Sequence, residues 1–196
     1  MHHTPLPLPV AQTGYSVDEY LEIERTSEIK HEYDDGEIYA MAGGSYVHNR
    51  AATNTTVALG SALKGKKCFV ANSDQQVAVS STKYCYPDVS VICGPFKPSE
   101  EHPNAATNPV LIVEVLSPET ESYDRGGKFM RYRQISTFRE YVLISQTEML
   151  VEVFYKNDLG FWEIETYQQP TDVVNLKSIE VNLALLDIYE GVTDFK

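Results

Sequence analysis

Cysteine, positive charge and long apolar runs are all scarce in this sequence. Its 196 residues hold three cysteines, Cys68, Cys85 and Cys93, an odd number with no Cys-x-x-Cys spacing. A disulfide framework or a structural zinc site is therefore not expected, and a reducing cytoplasm is the natural setting. Cys93 alternates with Val91 and reads as a core residue. Lysine and arginine total 16 against 28 aspartates and glutamates, for a net charge of −12. That balance argues against the basic face of a protein that grips nucleic acid tightly. A nucleic-acid partner would need the cations gathered at a cleft, and Arg125, Lys128, Arg131 and Arg133 form a partial cluster of that kind. No apolar run approaches the roughly 20 residues of a membrane span, so no membrane partner is expected. The start, Met1-His-His-Thr-Pro-Leu-Pro-Leu-Pro-Val10, lacks the basic stretch and long apolar segment of a signal peptide. It reads as an extended arm over residues 1–15. No repeat, low-complexity tract or linker divides the rest, so residues 16–196 are expected to form a single domain.

What is present is a globular composition, with 42% hydrophobic residues and 11% aromatics. Ser16-Val-Asp-Glu19 is a capping-box pattern and predicts a helix from Val17 to about Arg25. Asp35-Gly36 between His31–Asp34 and Glu37–Ala42 is a hairpin signal, closed by Gly43-Gly44. Small and apolar residues at 51, 52, 55, 58, 59, 62 and 63 predict a helix over Ser45–Leu63 with a narrow face suited to packing on a sheet. Strands are expected at Cys68–Ala71, Gln76–Val79, Val89–Cys93, Val110–Leu116, Tyr141–Ile144, Leu150–Tyr155 and Trp162–Tyr167, and the chain closes with Ser178–Val181 and a short segment at Leu183–Leu186. Asp124-Arg-Gly-Gly127 leads into a helix through about Ile135, with Phe129, Tyr132 and Ile135 inward. The element order implies an α/β fold with a mixed central sheet.

Two carboxylates are out of place in this pattern. Glu114 lies inside Val110-Leu-Ile-Val-Glu-Val-Leu116, a run that reads as a strand covered on both faces. An ionised carboxylate there is costly unless paired or bound to a metal. Asp88 follows Pro87 and opens the apolar strand Val89–Cys93. Together they suggest a divalent-cation site and metal-assisted hydrolysis, with a phosphodiester as the substrate. Plainer readings stand beside this one. Glu114 could belong to a structural ion pair, and Asp88 could cap its own turn.

At Tyr86-Pro-Asp88 and Val113-Glu-Val-Leu-Ser-Pro118 the chain resembles the PD-(D/E)xK nuclease superfamily. From about Tyr20 onward it is similar to one branch, a widespread bacterial family of predicted restriction-type endonucleases. The resemblance is also carried by His31-Glu-Tyr-Asp-Asp-Gly-Glu37, Gly43-Gly-Ser45 with His48-Asn49, Ser73-Asp-Gln75, and Tyr123-Asp-Arg-Gly-Gly-Lys128 with Tyr132. It implies a restriction-endonuclease-like mixed central sheet flanked by helices, with an N-terminal helix and hairpin. It further implies a Mg²⁺-dependent endonuclease, with Mn²⁺ as a substitute, acting on nucleic acid, DNA more than RNA, as a homodimer. Asp88 and Glu114 would hold the metal, with Glu37 as a candidate third acid. The motif's lysine falls at Leu116, on the same strand face as Glu114 but without a charge. Lys128 is the candidate replacement and Arg131 the second choice. His48 and Gln76 are candidates for water or phosphate contacts. The helix Val47–Leu63 holds no Asp or Glu, so an acid sometimes supplied from there is absent. Leu116 and the acidity also keep open a catalytically inactive binding or assembly module, and a metal-dependent hydrolase acting on another substrate.

Overall fold

The computed structural model describes residues 12–192. Residues 1–11, with most of the expected arm and both His2 and His3, lie outside the described residues. The last part of the arm is a strand: β1 (Gln12–Thr13) pairs antiparallel with β3 (Glu37–Ala40). Helix α1 (Val17–Thr26) starts with the expected capping box. Ser16 Oγ accepts the Glu19 N–H at 3.3 Å, and the Glu19 carboxylate accepts the Ser16 N–H at 2.8 Å. β2 (His31–Asp34) turns into β3 through Asp35 and Gly36, with φ of 48° and 100°. Both are left-handed, the conformation a type I′ hairpin demands.

This hairpin is part of a five-stranded antiparallel sheet ordered β1-β3-β2-β6-β5, with β5 at Val77–Ser80 and β6 at Lys83–Cys85. The segment expected at Gln76–Val79 thus joins the hairpin, not the central sheet. Its partner β6 was not anticipated. The sheet is seated on α1 by aromatic packing, with the Tyr20 ring 4.8 Å from Tyr33 and 5.6 Å from Tyr84 between centroids.

The central sheet has six strands in the order β11-β10-β9-β8-β7-β4. These are β4 (Cys68–Asn72), β7 (Val89–Cys93), β8 (Pro109–Leu116), β9 (Glu140–Ser145), β10 (Val151–Lys156) and β11 (Trp162–Tyr167). All neighbours run antiparallel except β8 and β9, which are parallel, so the sheet is mixed as expected. Helix α2 (Tyr46–Ala62) covers one face through Ala51 and Leu59, against Leu111, Val113 and Val115 of β8. The opposite face of β8 presents Ile112 and Leu116 to Tyr132, Phe138 and Tyr141. Burial on both faces explains why β8 reads as an unbroken apolar run.

Two parallel neighbours need a crossover. It carries a helical segment made of α3 (Glu121–Tyr123), a π-helical turn (Asp124–Lys128) and α4 (Phe129–Tyr132). Asp124-Arg-Gly-Gly127 therefore does not precede the helix; it lies inside it. Gly127 explains part of this, since a Cβ there would meet the Tyr123 ring at 3.1 Å. The helix ends at Tyr132, short of Ile135.

Beyond β11 the chain forms the hairpin β12 (Val173–Leu176) and β13 (Val181–Ala184), then α5 (Leu185–Ile188). Most of the closing segment Ser178–Val181 is the turn of this hairpin, with Glu180 at φ 52°. Val174, Leu176, Val181 and Leu183 pack in the α2-side core. The buried Glu140 carboxylate anchors the turn by accepting bonds from Lys177 N–H and from the Ser178 N–H and hydroxyl.

The cysteine expectation is corrected. Cys68 and Cys93 are directly opposite on β4 and β7 and form a disulfide. Odd count and spacing could not show this, because the pairing arises from strand register. Cys85 is free and buried. Among the described residues, no helix is long and apolar enough to cross a membrane.

Candidate active site

The site forms where the two sheets meet the crossover helix. Asp88 stands just before β7, and Glu114 is inside β8 on the face that looks toward α4. The two are joined by backbone bonds. Asp88 Oδ2 accepts the Val115 N–H at 2.8 Å, and Glu114 Oε2 accepts the Asp88 N–H at 3.3 Å. Glu114 Oε1 accepts the Tyr132 hydroxyl at 2.9 Å and lies 3.0 Å from Lys128 Nζ. Lys128 thus reaches the acid that lacks a lysine two residues further along its strand. Leu116 is instead packed among apolar side chains.

Lys128 also lies 3.3 Å from Glu32 Oε1 and 3.9 Å from Asp124 Oδ1. Glu32 and Asp124 were not singled out as site acids by the sequence. Glu32 comes from β2, is buried, and accepts the Tyr86 N–H at 3.1 Å. Burial pushes the Glu114 carboxyl well above the usual range, and the Lys128 charge opposes this only in part. Burial also raises Asp124. For Lys128, burial favours the neutral amine, but the charges of Glu114, Glu32 and Asp124 outweigh it and hold the ammonium well above its ordinary value. An ammonium among three acids is the electrostatic centre of the site.

His48, in the first turn of α2, places Nε2 3.2 Å from Asp88 Oδ2. Burial alone would lower its pKa, yet the hydrogen bond and charge of Asp88 raise it overall. An open cleft of about 610 Å³ lies over this pair, lined also by Lys30, Gly44, Asn49 and Ser73.

Three sequence candidates are placed elsewhere. Glu37 shares a sheet face with Glu32, since Asp34 pairs with Glu37 and Glu32 with Tyr39. It lies on the neighbouring strand at the turn end, however, and its carboxylate accepts the Tyr39 hydroxyl. Arg131, one turn beyond Lys128, is paired with Asp34 and Tyr123. Gln76 donates to the Tyr20 hydroxyl and lines a different cleft with Glu24, Tyr86 and His102.

The residues present fit a hard divalent cation. Asp88 engages protein donors through Oδ2, and Glu114 holds its two strongest donors on Oε1. Asp88 Oδ1 and Glu114 Oε2 are left as the less committed oxygens. Among the described residues no three His, Cys, Asp or Glu side chains converge as a metal cluster. Mg²⁺ does not require one, because it is commonly held by one or two carboxylates with waters and phosphate oxygens.

Comparison with known proteins bears on the family and the fold. A family model described as Uma2, "Putative restriction endonuclease", matches residues 17–188. An uncharacterized protein of Synechocystis sp. is 42% identical over 192 residues, covering 97% of either chain. A second uncharacterized protein of the same organism is 37% identical over 139 residues, 70% of this chain and 78% of its own. The crystal structure of a putative nuclease of the DUF820 group from Anabaena variabilis has a similar fold, with a TM-score of 0.74. It covers 92% of this chain and 100% of its own at 18% identity.

Proposed function

The chain belongs to the Uma2 family of putative restriction endonucleases, and we propose that it is a Mg²⁺-dependent endonuclease that hydrolyses phosphodiester bonds in DNA. The observation that carries this reading is the contact between buried Glu114 and buried Lys128 beside Asp88, the acid that lines an open cleft. Asp88 and Glu114 would hold the cation. When bound, it supplies Lewis-acid polarisation of the scissile phosphate and makes a water more acidic. Lys128 presents its ammonium beside Glu114, where it can orient the attacking water and offset charge developing on the phosphate. Lys30 and His48 line the cleft and add positive or hydrogen-bonding groups on the substrate side of an otherwise acidic protein.

A homodimer suits a nuclease that cuts both strands, because a two-fold axis matches duplex symmetry. The edge strand β11 and the turn before it expose Leu159, Phe161 and Ile164, an apolar surface that supports this reading. Light scattering at micromolar concentration should give twice the chain mass of 22.1 kDa.

Function is tested by incubating the purified chain with DNA and RNA panels in Mg²⁺ or Mn²⁺, beside an Asp88→Ala control. Metal-dependent nicking of DNA by the parent alone is expected. Metal binding with no cleavage of any nucleic acid would reject the endonuclease and favour an inactive module.

A further inference from the structure

We infer that His48 is a positioning residue for the metal acid Asp88, and that the Gly44-Ser45 turn holds its ring in place. This rests on the metal-site reading above and extends it to the contact of His48 with Asp88 and to the Gly44-Ser45 turn, which that reading does not use. Three observations carry it. First, His48 Nε2 and the Val115 N–H converge on the same oxygen, Asp88 Oδ2, at 3.2 and 2.8 Å. Two donors on one oxygen fix the carboxylate's rotation, a torsion that is otherwise broad. They also leave Oδ1 as the oxygen for an ion.

Second, the imidazole occupies space that only glycine leaves open. A Cβ on Gly44 would stand 2.6 Å from His48 Nδ1 and 2.9 Å from its Cγ. Gly44 is not among the residues of positive φ, so its backbone admits alanine. What alanine would displace is the ring. Third, the helix start is pinned from both sides. Ser45 Oγ accepts the His48 N–H at 3.1 Å and donates to Gln146 Oε1 at 2.6 Å. The capping serine thereby ties the first turn of α2 to the residue after β9.

Asp88 is the more exposed of the two metal acids, with 16% of its side chain accessible against 3% for Glu114. It therefore depends more on such support. Groups that hydrogen-bond a metal ligand typically contribute about 10–100-fold in metal affinity.

The test is calorimetric titration of the full chain with Mn²⁺, which reads the site without any cleavage assay. His48→Ala should bind about 10–100-fold more weakly than the parent. Gly44→Ala, which keeps the histidine but moves it, should show a similar loss. His48→Gln, whose amide N–H can reach Asp88, should recover most of the affinity. The Gly44→Ala/His48→Ala double variant should lose no more than His48→Ala, since Gly44 acts only through the ring. Metal-free melting temperatures close to the parent's would show that folding is not the cause. Parent-like binding by His48→Ala, no recovery by glutamine, or additive losses would each overturn the positioning role. A parent that binds no Mn²⁺ would instead defeat the metal-site reading itself, and this inference with it.

Discussion

Lys128 Nζ lies 3.0 Å from Glu114 Oε1, and both side chains are almost fully buried. A strand acid and a helix lysine thus meet where the crossover helix packs on β8. The pair has two duties that mutation can separate. It neutralises a buried acid, and it places a cation at the candidate reaction centre.

Removing the lysine should therefore affect more than activity. Lys128→Ala leaves Glu114, Glu32 and Asp124 facing one another, and breaking a buried ion pair costs about 3–5 kcal/mol. Urea unfolding at neutral pH should show that loss. It should shrink as pH falls, because the acids then take up protons in the folded state. With Mg²⁺ present and under conditions where the variant is folded, DNA cleavage should be abolished. Cleavage at the parent rate would reject Lys128 as a catalytic group.

Asp88 and Glu114 are expected to share one cation. Mn²⁺ titration should show binding in the parent and a large loss in both Asp88→Ala and Glu114→Ala. Equal binding in all three proteins would rule out a shared site.

Metal affinity should depend on pH through Glu114. Burial raises its carboxyl well above the usual range, so a proton competes with the cation at higher pH than for an ordinary carboxylate near about 4.3. The sign follows. Binding releases the proton, so affinity is greatest at high pH and falls as pH drops through the raised value. Titrations at successively lower pH should show this decline setting in above the pH at which an ordinary carboxylate protonates. An affinity that stays flat down to that pH would count against Glu114 as a ligand.

The Cys68–Cys93 bond closes a sequence separation of 25 residues. Such a loop is worth roughly 2–4 kcal/mol. Chemical denaturation should show that loss in the Cys68→Ser/Cys93→Ser variant. Cleavage should persist under conditions where that variant is folded, since the β4–β7 ladder places Cys93 at the end of β7 away from Asp88. Thiol labelling of the oxidised native protein should find no reactive cysteine until unfolding exposes Cys85.

Asp88 and Glu114 were legible because an acid beside or within an apolar strand is anomalous on its own terms. The capping box at Ser16, the Asp35-Gly36 turn and the amphipathic spacing of α2 were legible for the same local reasons. Glu32 was not. It lies in a short charged strand with Asp34 and faces the same way as Glu37, so only the seating of β2 against the crossover helix distinguishes them. Asp124 falls in a stretch expected only to lead into a helix, and a π-helical turn has no simple apolar period to mark it. β6 and β12 are too short to show alternation, and the disulfide depends on which residues the β4–β7 register sets opposite each other.

The parallel pairing of β8 with β9 has a consequence in time as well as space. Both proposed metal acids precede the crossover, the lysine lies within it, and β9 and β10 follow. A chain still emerging from the ribosome presents Asp88 and Glu114 before the strand that closes the crossover exists. The proposed cutting centre is complete only once the crossover that carries Lys128 has docked on β8.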